Sequence, residues 1–90
     1  MPTLHFHITG RVQHVWFRGW TQLTARGLGL TGWVKNERDG SVRGVAQGSA
    51  EALERFRQAL HEGPPSAVVA QVEAEVVESD HMYAEFLVLR

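Results

Sequence analysis

Ninety residues allow one small folded unit, because a chain of this size buries only about 60% of its extended surface, and we expect residues 1–90 to form a single domain. Nine basic and ten acidic residues give a formal net charge of -1, which excludes a general attraction to nucleic acid or to an anionic membrane. The chain contains no cysteine, which excludes disulfides, thiolate metal sites and thiol nucleophiles.

The N-terminal segment predicts a strand and does not resemble a signal peptide. Leu4, Phe6 and Ile8 alternate with polar residues, and this period of two indicates one buried strand face rather than the continuous apolar run of a signal peptide. No apolar stretch in the chain approaches the roughly 18 residues of a membrane-spanning helix. We therefore expect a cytoplasmic protein without membrane contact, with a free monomer as the default state.

A helix, a hairpin and a second helix are predicted next. Helical spacing links Phe17, Thr21, Ala25 and Leu28, and Gly29 follows at the position of a helix C-terminus. The extended segments 32–37 and 41–47 flank an Asp-Gly pair, which is a strong signal for an antiparallel hairpin. Ser49 suits the N-cap of the second helix, whose apolar stripe covers residues 52–60 before a Gly-Pro stop.

The C-terminal third predicts two more strands. Val72, Ala74 and Val76 alternate with polar residues, which indicates a fourth strand with one solvated face, and Phe86 and Val88 indicate a short fifth one. Under the right-handed crossover rule, the order βαββαβ plus a terminal strand predicts a ferredoxin-like α+β sandwich. We expect an antiparallel four-stranded sheet with both helices on one face and a short C-terminal fifth strand.

The segment between the first strand and the first helix, residues 10–18, is the strongest functional signal. A loop that presents backbone N–H groups at a helix N-terminus beside an arginine, here Arg18, is suited to bind an anion. An arginine in the first turn opposes the helix dipole, and a bound anion removes that conflict. Taken alone, Arg18 is also consistent with a solvated helix residue, and Asn36 with a residue that precedes a turn.

Other functions of ferredoxin-like folds fit the sequence poorly. A metallochaperone of this shape needs a Cys-x-x-Cys pair, which the chain lacks. An RNA-recognition module needs a basic and aromatic strand signature that neither residues 4–10 nor residues 42–48 supply. The loop has no Gly-Lys-Ser/Thr ending, so it is not a nucleotide P-loop. We expect no nucleic acid partner.

Residues 10–18, GRVQHVWFR, closely resemble the acylphosphatase signature Gly-x-Val-Gln-Gly-Val-x-Phe-Arg. Further segments resemble the later landmarks of that family at matching spacing, namely residues 28–36 (LGLTGWVKN), 39–42 (DGSV), Gly48, 52–56 (ALERF) and 63–67 (GPPSA). Two separate motifs at the right distance are more specific than one glycine-rich match. The resemblance covers almost the whole chain.

The resemblance implies hydrolysis of the carboxyl-phosphate bond of acyl phosphates, without metal or other cofactor. It implies that Arg18 is the phosphate-binding catalytic residue and that Asn36 orients the attacking water. It also implies a phosphate cradle made by backbone N–H groups, those of Gln13, His14, Val15, Trp16 and Phe17. Inorganic phosphate is then expected as product and inhibitor of a small-molecule reaction.

His14 stands where the family signature has glycine. A glycine permits a left-handed backbone angle or a close approach of phosphate, and a Cβ hinders both, although histidine visits the left-handed region more readily than branched residues. Tolerance, impaired activity and a gain in binding are all open. The alternative function is a noncatalytic module that binds phosphate or acyl phosphate through a loop altered by His14. A third interpretation is an accessory domain cut from a larger maturation enzyme, although the terminal strands favour a standalone chain.

Two sets of side chains outside the loop invite other interpretations. His5 and His7 share one face of the first strand, but zinc sites usually need a third or fourth ligand, so we expect a solvated outer sheet face and no metal site. Glu73 and Glu75 form the polar face of the fourth strand rather than an acid/base pair. Trp16 fills a variable motif position and is expected to be a packing or rim residue rather than a residue that stacks on the substrate.

Overall fold

The computed structural model describes residues 1–90, which form seven elements. These are β1 (Pro2–Arg11), α1 (Phe17–Gly27), β2 (Thr31–Asn36), β3 (Val42–Gln47), α2 (Ala50–Glu62), β4 (Val68–Glu78) and β5 (Phe86–Val88). The strands form one sheet in the order β4-β1-β3-β2-β5, and both helices pack on one face of it. The predicted ferredoxin-like arrangement is therefore confirmed.

The sheet is mixed rather than purely antiparallel. β4, β1, β3 and β2 pair antiparallel in that order, as predicted, but β5 adds to the edge of β2 in parallel, with Gly32 opposite Phe86. The chain leaves β4 at one edge of the sheet and reverses once to reach the other edge, which gives β5 the direction of β2. The terminal strand thus becomes part of a five-stranded sheet.

The hydrophobic core lies between the sheet and the helices. Leu4, Phe6 and Ile8 are buried on the helix face of β1, as their alternation predicts. The Phe56 ring of α2 lies 5.4 Å from that of Phe6 and 6.3 Å from that of Phe86, both edge-on. Edge-on aromatic pairs add stability beyond their buried area. The core therefore holds the short strand β5 through Phe86.

The two helices begin differently. Ser49 caps α2, because its hydroxyl oxygen accepts a hydrogen bond from the Ala52 N–H at 3.1 Å, as predicted. α1 follows Trp16 and has neither a side-chain cap nor an acidic residue in its first turn. It ends before Gly29, whose φ of 73° matches the predicted stop. Neither helix is long and apolar enough to cross a bilayer.

β4 differs from its predicted pattern. The strand begins at Val68, and only its first half packs on the core, through Val69 and Val72. Ala74 and Val76 face the same side of the sheet but are exposed, with Val76 at 56%. β4 is an edge strand, so its second half lies beyond the packed core. An alternating pattern predicts which residues share a face, not whether another element covers them.

The segment that joins β4 to β5 crosses the sheet face that the helices leave open. The buried Gln47 amide of β3 holds it there: Nε2 donates to the His81 carbonyl at 2.7 Å, and Oε1 accepts from the Tyr83 N–H at 3.1 Å. Nε2 also lies 3.0 Å from the Thr3 hydroxyl of β1. One buried side chain thus connects β1, β3 and the crossing segment, which guides the chain to β5.

Gly10 sits at a register shift near the end of β1, immediately before the loop, with a φ of 125°. A Cβ at this position would clash with the Val68 carbonyl and the Ala70 amide of the neighbouring strand. We expect Gly10→Ala to lower the free energy of unfolding by about 2 kcal/mol, measured by urea denaturation. Gly27→Ala is the matched control, because a Cβ there meets nothing and alanine favours a helix, so it should stabilise the protein slightly. Equal midpoints for the two variants would contradict the prediction.

Candidate active site

The N-terminus of α1 leaves a run of backbone donors free. None of the N–H groups of residues 13–19 donates a hydrogen bond within the chain. The first N–H groups of a helix have no intrahelical partner, and their partial positive charge attracts anions. Because α1 has no cap and no acidic residue in its first turn, nothing in the protein satisfies these donors. The local structure is therefore suited to bind an anion.

Two residues of the loop adopt left-handed backbone angles. His14 has a φ of 63° and Trp16 a φ of 65°, and both side chains are exposed. Left-handed residues in a loop can direct neighbouring N–H groups toward one concave surface, which is an anion-binding arrangement. His14 thus keeps the backbone angle that the family's glycine permits, at a cost of about 1 kcal/mol for a residue with a Cβ.

Arg18, in the first turn of α1, is oriented by the C-terminal end of the chain. Its Nη1 donates to the Leu89 carbonyl at 2.9 Å. The Leu89 N–H in turn donates to the Val34 carbonyl of β2 at 2.8 Å. The residue after β5 therefore links the Arg18 guanidinium to the strand that carries Asn36.

Asn36 is the last residue of β2, where it pairs with Val42 of β3. Its side-chain oxygen Oδ1 is buried and has no hydrogen-bond partner. A buried acceptor without a donor costs about 1–3 kcal/mol, and such groups call for a water or ligand. Asn36 also lines the adjacent cavity, and a rotation of its amide would bring Oδ1 to a water or a ligand hydroxyl there.

Both predicted catalytic residues line one cavity of about 200 Å³. A water takes about 30 Å³ in the liquid, so this volume accommodates a phosphate group and a few waters. The cavity is lined by Val12, His14, Trp16, Phe17, Arg18, Gly19, Asn36 and Val88. Of the predicted loop residues, Gln13 and Val15 do not line it. Val15 packs against the core, and the Gln13 side chain is directed toward the β2–β3 hairpin.

The Gln13 side chain is a site feature that the sequence alone does not reveal. Its Nε2 donates to the Glu37 carbonyl at 2.7 Å and to the Ser41 carbonyl at 2.9 Å. The sequence alone also does not indicate that Val88 lines the cavity or that the Leu89 carbonyl binds Arg18. The motif marks Gln13 as part of the loop, but nothing in the local pattern indicates its partners 24 and 28 residues away.

The turn that follows Asn36 is held by an ionised carboxylate. The Ser41 hydroxyl donates to the Asp39 carboxylate at 2.6 Å and the Ser41 N–H at 2.9 Å. These two hydrogen bonds hold the pKa of Asp39 below its ordinary value, and the bond from the hydroxyl has the larger effect. The carboxylate therefore keeps its charge, and the turn its order, to lower pH than for an unpaired aspartate.

His5 and His7 lie away from this cavity, on the sheet face opposite the helices. They line a separate, larger cavity of about 530 Å³ on that face. His7 Nδ1 lies 3.2 Å from Oε1 of Glu73, its cross-strand neighbour on β4. The histidine pair and the Glu73–Glu75 pair therefore have no contact with the groups around Arg18.

Known proteins resemble this chain in sequence and in fold. A protein-family model described as acylphosphatase matches residues 4–88. An acylphosphatase of Rhodospirillum rubrum is 52% identical over 69 residues, which are 77% of this chain and 76% of that protein. An acylphosphatase of Salinibacter ruber is 48% identical over 83 residues, which are 92% of this chain and 87% of that one.

Solved structures agree with the sequence relatives. The crystal structure of acylphosphatase from Bacillus subtilis has a TM-score of 0.97 and 33% identity, and the match covers 100% of both chains. HypF of T. kodakarensis matches with a TM-score of 0.86 and 30% identity over 99% of this chain but 12% of its own. The same fold thus also occurs as a small part of a longer chain. The family model and the relatives of similar length show that this chain belongs to the acylphosphatase family.

Proposed function

We propose that this protein hydrolyses the carboxyl-phosphate bond of small acyl phosphates, with Arg18 and Asn36 as catalytic residues, and that residues 1–90 act as one acylphosphatase domain. The observation that carries the proposal is the cavity at the start of α1 in a chain of this family. Arg18, free backbone N–H groups and an unpaired Asn36 oxygen all border it or lie beside it. This combination suits a phosphate group and a water.

The phosphate is bound by positive charge and by backbone donors. The Arg18 guanidinium is charged at every relevant pH and can bind two phosphate oxygens at once. The N–H groups of residues 13–17, which have no partner within the chain, complete the cradle. Donors already oriented toward the equatorial oxygens stabilise the charge of the transition state without rearrangement.

The water is held by Asn36. Its Oδ1 accepts a hydrogen bond from the water, whose oxygen then attacks phosphorus in line with the leaving carboxylate. The P–O bond to water forms, the P–O bond to the acyl group breaks, and the carboxylate leaves with the electron pair. The proton of the water passes to a phosphate oxygen. Because a carboxylate is a good leaving group, neither a strong base nor a metal ion is required.

The alternative, a module that binds but does not turn over acyl phosphates, rests on His14. Two observations favour the enzyme. His14 has the left-handed φ that a glycine would adopt, so its backbone keeps the concave loop. The family relatives that match most of this chain are acylphosphatases. We further propose a monomer that acts in the cytoplasm on small molecules, in line with the near-neutral charge of -1 and the absence of cysteine.

The test is hydrolysis of benzoyl phosphate by the purified protein in excess chelator, beside His14→Gly. We expect turnover that survives the chelator and stays within a few-fold in His14→Gly. The variant should be more stable by about 1 kcal/mol, because glycine adopts a φ of 63° without strain.

A folded protein without turnover above the spontaneous rate would contradict the proposal. If His14→Gly then restored turnover, the chain would be a binding module whose loop His14 has altered. Phosphate binding alone does not separate the two functions, since both predict it.

A further inference from the structure

We infer that the Gln13 side chain is a positioning residue for this hydrolysis: it sets the distance between the phosphate loop and the hairpin that carries Asn36. The inference rests on the proposed function. It concerns only the side chain of Gln13, whereas its backbone N–H belongs to the proposed cradle. Neither the motif nor the cavity lining assigns a role to this side chain, since it does not border the cavity.

The two acceptors of Gln13 lie one residue beyond the Asn36–Val42 pair, one on each side of the hairpin. Glu37 directly follows Asn36, and Ser41 directly precedes Val42, the residue that pairs with Asn36 across the hairpin. Gln13 Nε2 donates to both carbonyls, at 2.7 and 2.9 Å. One side-chain nitrogen therefore holds both strands of the hairpin next to the Asn36–Val42 pair.

The chemistry of the link explains why an amide is suited to it. The Nε2 group of glutamine offers two N–H donors on one neutral atom, and both are used here. A glutamate of the same length would direct a carboxylate at two carbonyl oxygens. These are also the only hydrogen bonds between residues 12–16 and residues 36–41. Without them, the loop and the hairpin are joined by packing alone.

Asn36 depends on this link because its own side-chain oxygen is not anchored. Oδ1 has no partner in the protein, so the position of Asn36 follows the backbone of β2. β2 is also linked to Arg18, through the backbone of Leu89. Gln13 is the corresponding link on the loop side. A displacement of about 1 Å at a reacting group can lower the rate about 100-fold, so loss of this link should affect the water more than the phosphate.

The experiment combines Gln13→Met, which keeps the length but has no donor, with Asn36→Ala in a double-mutant cycle. With benzoyl phosphate we expect kcat to fall 10- to 100-fold in Gln13→Met, while inhibition by inorganic phosphate changes less than about 3-fold. In the Asn36→Ala background the same substitution should cost no more than about 2-fold, because its effect passes through Asn36. Gln13→Asn, which keeps an amide on a shorter chain, should show the same split with a smaller loss and remains available if Gln13→Met does not fold.

The matched control is Gln22→Met. Gln22 of α1 also donates to a backbone carbonyl, that of Phe86 at 3.0 Å, but has no bond to the loop or the hairpin. The Gln22→Met variant should be less stable than the wild-type protein, while its kcat stays within about 2-fold of the wild-type value. Equal losses of kcat and phosphate inhibition in Gln13→Met, or additive losses in the cycle, would overturn the inference. So would an unchanged kcat beside an active wild-type protein, whereas an inactive wild-type protein would contradict the proposed function itself.

Discussion

Arg18→Ala is expected to lower kcat/KM for benzoyl phosphate by about 100- to 1000-fold, the range observed when a transition-state donor is removed. Among the residues that line the cavity, only Arg18 carries a permanent charge, and its guanidinium is held by the Leu89 carbonyl. Inorganic phosphate should inhibit the variant much more weakly. The measurement is steady-state hydrolysis with phosphate as a competitor.

Arg18→Lys is the matched control for charge. Lysine keeps one positive charge but lacks the planar pair of donors that binds two phosphate oxygens. It also has no second nitrogen to bond phosphate while it contacts the Leu89 carbonyl. We expect a rate between those of the wild-type protein and Arg18→Ala. Wild-type turnover in Arg18→Ala would show that Arg18 is a solvated helix residue.

Asn36→Ala is expected to lower kcat by about 100-fold while the protein becomes no less stable. The loss of rate follows from the loss of the acceptor that orients the water. The stability follows from the buried, unpaired Oδ1, because its removal relieves a desolvation cost of about 1–3 kcal/mol. Phosphate inhibition should change little, in contrast to Arg18→Ala. The rate is measured by hydrolysis and the stability by urea denaturation.

Asn36→Asp provides the control of equal size. A carboxylate keeps the acceptor oxygens but adds a negative charge beside the bound phosphate, so it should weaken phosphate inhibition as well as kcat. A loss of stability in Asn36→Ala together with unchanged turnover would assign Asn36 a structural role at the end of β2. That result would contradict its proposed contact with the water.

The helices and strands could be predicted because their signals are local. The alternation in β1, the serine cap of α2 and the Asp-Gly turn each depend on residues within a few positions of one another. The exposure of Val76 and the parallel pairing of β5 could not be predicted, because they depend on which element lies beside each strand. Apolar and polar residues alternate with the same period of two in an exposed edge strand and in a covered strand.

The candidate site, too, has features that the sequence predicts and features that it does not. The loop and Arg18 are recognised from a contiguous motif, and Asn36 from a second motif at a matching distance. The orientation of these residues depends on distant partners. The Arg18–Leu89 bond joins residues 71 apart, and the Gln13 bonds join residues 24 and 28 apart. No short sequence window contains both groups of such a bond.

The sequence by itself determined the order of the elements, the family and the residues proposed to bind a phosphate, because local backbone preferences and contiguous motifs encode these properties. Only the tertiary structure decided how those residues meet. It brought β5 beside β2, oriented Arg18 with the Leu89 carbonyl, and left the Asn36 oxygen buried without a partner. The physical reason is that chain reversals bring distant donors and acceptors together, and burial then determines which groups find a protein partner and which are left for a ligand.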